Sequence, residues 1–383
     1  MLSPTSPIRP LLVLAMLALA GCTYGQLTRT EPTPDEGAPD AGETSDAGDS
    51  TDPSDPSDPM DPSDPSDPSD PSDPSDPSDP TDPSDPADPM DPSDPSDPGD
   101  PSDPSDPMDP PPTDPGGARS EVRMYVFGHS LAAWSAPNTS VGQHMCWVAA
   151  AAGRPCCGNG QWPMGFEPSV FSNFAFPPQP IQGHGPSCWG GSFGSSRFNV
   201  ATITEANFYF QTNDPTTVPP REAIGLIDRI RRDYPGLPVY LYEHWPPIDE
   251  GFTFAEWKSR YHRDFHEWFV AIQDEVNRRD PGANLKLLPV GWIFARLLEQ
   301  VPAMRTLRQS DLFVDPDPHG TATTYFLSGL IHYMALYRQR APSGMTPPSF
   351  VHPTVRENID AIVDFIWRDL QEVTNASGES RVF

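Results

Sequence analysis

The distribution of apolar and polar positions divides the chain in two. Beyond a short apolar run near the start, residues up to about 117 show no hydrophobic period. From residue 119 onward, short β-branched or aromatic runs alternate with longer segments in which apolar residues recur every three to four positions. Residues 122–127 form a near-continuous apolar run of the kind a buried parallel strand requires. Residues 141–152 read as a helix closed by Gly153, 198–204 as a strand, and 221–234 as a helix ended by Pro235-Gly236. A strand at 238–242, a long amphipathic helix at 254–279 and a strand at 285–290 follow. Two helices, about 320–339 and 354–373, close the chain. Leu327, Leu330, Ile331 and Met334, then Ile359, Ile362, Phe365 and Ile366, are their core stripes. Strands alternating with helices predict an α/β domain over 119–383, a three-layer α/β/α sandwich around a mostly parallel sheet. Its length suffices for one large core.

Composition explains why the first part lacks such a pattern. Residues 31–115 are dominated by Ser-Asp-Pro triplets and carry 28 acidic side chains with no Lys or Arg. The whole chain has 54 acidic and 24 basic residues, so 26 acidic and 24 basic remain elsewhere, and the net charge of −30 belongs to this segment. Proline at every third position suits neither helix nor central strand, and almost nothing apolar is available to bury. Residues 23–118 are therefore expected to be an acidic spacer, extended by charge repulsion and reaching at most roughly 260 Å at polyproline II rise. Before it, residues 1–22 read as a targeting segment. Arg9 supplies positive charge, and 11–20 is an apolar run too short to span a bilayer comfortably. The run ends in Leu19-Ala20-Gly21-Cys22, which resembles a bacterial lipobox. That resemblance implies acylation at Cys22, a multiply acylated anchor and, with Thr23 rather than Asp next, an outer-membrane or cell-surface location.

The candidate chemistry begins at Phe127-Gly128-His129-Ser130-Leu131. An apolar strand stops at a glycine that eases a sharp turn, and a serine follows at the carboxyl end of the strand, where α/β folds gather ligands. A serine needs a base oriented by a third group. Asp315-Pro316-Asp317-Pro318-His319-Gly320 supplies one just before a long helix. Together these stretches resemble the SGNH (GDSL-like) hydrolase superfamily over residues 119–383. Its members carry a nucleophilic serine after the first strand and an Asp-x-x-His block near the end. Here His129 replaces the usual acid of the first motif, and the acid before His319 stands two or four residues away, leaving Asp315 and Asp317 both open. The resemblance implies a flavodoxin-like sheet and a serine esterase in which Ser130 attacks, His319 moves the proton and Asp315 or Asp317 orients it. It also implies an oxyanion hole from Ser130, Gly185 (with Gly183 the weaker choice) and Asn207. No glycine precedes Asn207 as the family's third block would have it, and Asn213 is a more distant candidate.

Four cysteines remain beside Cys22. In an exported chain Cys146, Cys156, Cys157 and Cys188 favour two disulfides over zinc, with each adjacent cysteine reaching Cys146 or Cys188. They accompany an irregular stretch, 154–197, too long for an ordinary connection. His262 and His266, one helical turn apart, read as a partly exposed pair without a third metal ligand. Glu205 is expected to shape the pocket, and Glu243, His244 or Trp245 to line the cleft. No metal or organic cofactor is expected, and no basic patch points to nucleic acid. The expected activity is removal of O-acetyl or other short acyl groups from a polysaccharide. A lipid esterase and a noncatalytic carbohydrate-binding or surface-structural lipoprotein are the alternatives.

Overall fold

The computed structural model describes residues 117–180, 182–248 and 251–383. The expected leader with Cys22, and all but the last two residues of the spacer, lie outside the described residues. Within them β1 (Val122–Phe127) is buried at every position except Arg123, as its apolar run requires. It is followed by α1 (Val141–Ala151), which Ser140 caps by accepting from the Gln143 N–H. The strands β2 (Cys156–Gln161), β3 (Gln182–Gly183) and β4 (Val200–Ile203) come next. Then follow α2 (Val218–Asp233), β5 (Val239–Glu243), α3 (Phe254–Glu256), α4 (His262–Arg279), β6 (Lys286–Pro289) and α5 (Val290–Gln300). The chain closes with α6 (Gln309–Leu312), α7 (Ala322–Tyr337), α8 (Pro353–Glu357) and α9 (Ile359–Glu372).

The sheet has the order β3-β2-β1-β4-β5-β6, parallel throughout except for the two-residue edge β3. Successive strand residues point to opposite faces, and β5 shows what covers each. The Tyr242 hydroxyl lies 3.4 Å from Ser328 on α7, while Glu243 meets His266 on α4. Helices thus cover both faces, and the fold is α/β as the sequence pattern predicts.

Several boundaries differ for physical reasons. The stretch 154–197 is not wholly irregular, because Cys156–Gln161 forms β2, paired residue for residue with β1. Its Cys-Cys-Gly-Asn-Gly-Gln run has no β-branched or aromatic residue to announce a strand. The small residues serve packing: a Cβ at Gly158 would lie 2.6 Å from the His184 carbonyl, and one at Gly160 2.7 Å from the His184 ring. Cys146–Cys156 and Cys157–Cys188 are the disulfides, tying α1 and the return loop to β2. The expected helix 254–279 is three pieces. A Thr253–Glu256 capping box starts α3, and the π-helical turn Trp257–Tyr261 precedes α4. The strand expected at 285–290 stops at Pro289. The stripe Ile293, Phe294, Leu297 and Leu298 then forms α5, a helix not expected there.

Candidate active site

Ser130 follows the carboxyl end of β1, and Tyr325 ties it to α7, the helix that His319 precedes. The Gly128 N–H bonds the Gln161 carbonyl at 3.2 Å and the Thr204 N–H bonds the Phe127 carbonyl at 3.2 Å, so β2 and β4 hold the end of β1 from either side. Gly128 is needed there for room, since a Cβ would lie 2.8 Å from that of Ala132. The next residues turn, with both Ala132 and Ala133 N–H groups on the His129 carbonyl. Ser130, half-buried, is fixed by its own carbonyl, which accepts from the Tyr325 hydroxyl of α7 at 2.5 Å. Its N–H forms no hydrogen bond among the described residues, which suits an oxyanion donor.

His319 is held by Asp315 and Trp134. Its Nδ1 lies 2.8 Å from Asp315 Oδ2, and its own N–H donates to Asp315 Oδ1 at 3.0 Å. The indole of Trp134 stacks on the imidazole at 4.5 Å with 11° between planes. The loop itself is closed by the Phe313–Gly320 bridge and by Val314 N–H on the His319 carbonyl, so residues 315 and 319 face each other. Of the two candidate acids, Asp315 takes the imidazole and Asp317 is exposed. Two prolines with fixed φ shape this turn, and the Trp245 indole N–H anchors it by donating to the Pro318 carbonyl at 2.7 Å. Among the described residues, no hydrogen bond joins the Ser130 hydroxyl to His319. Such bonds are often long in unliganded enzymes and tighten on binding.

Glu205 organises the other side of Ser130. Its carboxylate is wholly buried and accepts from Ser169 Oγ, the Val170 N–H at 2.8 Å and the Ala206 N–H at 3.0 Å. Burial raises this carboxyl to about 7, against the opposing pull of those donors. Its carbonyl lies 3.2 Å from Nε2 of His129 and 2.7 Å from Nε2 of His244. Burial, reinforced by neighbouring His244 and His319, lowers His129 to about 3, so the imidazole beside Ser130 is neutral. Asn207 follows, nearly buried, and its amide bonds no other described residue.

Four expectations need correction. Gly185 does not face Ser130. Antiparallel β3 carries the chain back along β2, and Gly158 N–H on the Pro186 carbonyl keeps it there. Gly185 therefore sits beside Cys146, about four residues or roughly 13 Å from the carboxyl edge. Asn213 is occupied, its amide on the Pro168 carbonyl at 3.3 Å. His262 is fully buried rather than partly exposed, while His266 contacts Glu243 Oε2 at 2.7 Å and stacks on Trp292. Glu243, His244 and Trp245 are all buried, so none of them lines an open cleft. Trp134 and Tyr325 had no signal in the sequence. Their partners lie 185 and 195 positions away, and an aromatic residue in a loop or a core helix gives no hint of such a pairing.

These features define an α/β fold with a serine and an acid–histidine pair at one edge. No family model matches the chain, and no curated protein matches it. Among solved structures, the Clostridium thermocellum family 3 carbohydrate esterase is similar at 12% identity and a TM-score of 0.35, covering 58% of this chain and 100% of its own. A DUF4886 family protein from Bacteroides uniformis is similar at 11% identity and a TM-score of 0.41, covering 65% and 94%. A salicylyl-acyltransferase from a tetracycline biosynthetic pathway is similar at 16% identity and a TM-score of 0.33, covering 57% and 56%.

Proposed function

We propose that this chain is an SGNH-type serine esterase that removes short acyl groups, foremost O-acetyl, from a polysaccharide. The observation that carries this reading is the Asp315–His319 contact at 2.8 Å on the same edge as Ser130. His319 Nε2 takes the Ser130 proton as the hydroxyl attacks the ester carbonyl, and returns it to the leaving alcohol. Asp315 holds the imidazole and faces the charge that forms. The Ser130 N–H and the Asn207 amide receive the oxyanion. Water then cleaves the acyl-enzyme by the same route. Cys22 carries an acyl anchor, and residues 23–118 hold the domain away from an outer membrane or cell surface.

A second reading, a noncatalytic carbohydrate-binding protein, draws on the missing hydrogen bond between Ser130 and His319. Hydrolysis of p-nitrophenyl acetate and of an acetylated polysaccharide separates the two. Ser130→Ala and His319→Ala should each lower turnover by at least about 10³-fold. Turnover of either substrate that survives Ser130→Ala would end the esterase reading.

A further inference from the structure

We propose that Trp162, Met164 and Phe166 form a rigid apolar lip beside Ser130 that binds the neutral sugar rings of the substrate chain. Their position follows from strand register. Phe127 pairs with Gln161, so Trp162 leaves the sheet next to the Gly128-His129-Ser130 turn. Phe166 then reaches Phe208, one residue beyond Asn207, with ring centroids 5.5 Å apart. The lip thus joins the β2 side of the candidate site to its β4 side, across the end of β1.

A contiguous exposed apolar patch marks an interaction site, whereas singly scattered apolar side chains do not; these three stand close together on one loop. Trp162 and Phe166 are each 37% exposed and Met164 is 78% exposed. The loop that displays them is firmly built. Glu205 holds Ser169 and Val170. Arg229 donates to the Phe171 and Phe174 carbonyls, and the Gln161 side chain spans Ala175 and Gln179. A buried carboxylate and a guanidinium therefore keep the apolar tip in place before any ligand arrives. Such preorganisation favours binding.

The choice of ligand rests on charge. From Pro155 to Ser196 the only charged residue is Glu167, while aromatic and amide side chains abound. An anionic membrane surface would call for Lys or Arg around an apolar tip. Flat rings among neutral amides instead suit the apolar faces and hydroxyls of an uncharged glycan, each ring stacking on one sugar.

This assignment rests on the esterase reading, but binding tests it separately. The full chain, with Cys22→Ser to remove the acylation site, would be used throughout. In a Ser130→Ala background, calorimetric binding of unacetylated xylan should weaken about three- to tenfold with Trp162→Ala, and also with Met164→Ser, whose side chain is too exposed to matter for folding. With Ser130 present, the same changes should raise KM for acetylated xylan by a similar factor while kcat/KM for p-nitrophenyl acetate stays within about twofold. Unchanged xylan binding in both variants would overturn the proposal, as would sedimentation with anionic lipid vesicles that is lost on Trp162→Ala. Xylan binding that depends on the lip in a protein without esterase activity would uphold the lip and reject the catalytic reading alone.

Discussion

At the scale of single residues, His319 depends on two partners of different kinds. Asp315 fixes which nitrogen carries the proton, and Trp134 covers one face of the ring. Asp315→Asn keeps the shape but favours the wrong tautomer, and should lower kcat about 10³–10⁴-fold. Asp317→Asn, at an exposed side chain without that contact, should stay within about threefold. On the proposed reading, the Trp134 face adds something a carboxylate does not: a cation–π attraction for the imidazolium formed when His319 takes the Ser130 proton. Trp134→Leu should therefore lower kcat/KM about 3- to 30-fold, while Trp134→Phe retains most activity. Steady-state kinetics on p-nitrophenyl acetate checks all three. Equal losses from Asp315→Asn and Asp317→Asn would reject the acid assignment.

At the scale of elements, the site depends on how closely α5 approaches the end of β5. A Cβ on Gly291 would lie 1.8 Å from the His244 carbonyl oxygen and 2.8 Å from its carbon. Both belong to backbone, so no side-chain rotation relieves the clash. Gly291→Ala should destabilise the domain by about 3 kcal/mol, at the upper end for overpacking. That corresponds to a melting temperature roughly 6–12 °C lower for a domain of this size. Because His244 contacts Glu205, whose neighbours include Asn207, activity should fall even at temperatures where the variant is folded. Calorimetry that finds the variant as stable as the parent would show that α5 can retreat from β5.

At the scale of the whole molecule, buried histidines dominate the response to acid. Burial is the largest cause in each case, lowering His129, His184 and His262 to about 3 and His244 and His332 to about 4. Folded pKa values below the unfolded 6.5 mean that the unfolded chain binds more protons as pH falls. Their contribution is complete above about 6.5 and is lost between there and about 3–4. Glu205 acts in the opposite sense. Its folded value of about 7 lies above its ordinary one, so its share of stability is full below about 4.5 and declines toward 7. Burial also raises Glu243 and Asp369 in the sense of Glu205 and lowers His144 in the sense of the other histidines. Six imidazoles outweigh three carboxyls, and the melting temperature should drop steadily from pH 7 to pH 5. A melting temperature that is flat or rises over that interval, measured by calorimetry, would mean that these imidazoles are hydrated or protonated in the fold.

What the chain order settled by itself is what depends on near neighbours. The apolar run 122–127, the periodic stripes of α7 and α9 and the strand–helix alternation were legible because burial imposes a period on each element. Ser130 and His319 stood out for the same local reason, each beside a strand end or helix start, and the number of cysteines favoured two bonds. Tertiary structure decided whatever joins distant positions. It chose Asp315 over Asp317, because a bridge between Phe313 and Gly320 closes that turn. It made a strand of Cys156–Gln161, where packing against β1 and His184 outweighs weak strand propensity. It moved Gly185 away from the site by running β3 antiparallel, and brought Trp134 and Tyr325 to it from far along the chain. Local sequence sets which elements form, whereas contacts across long separations exist only once the sheet has brought the ends of its strands together.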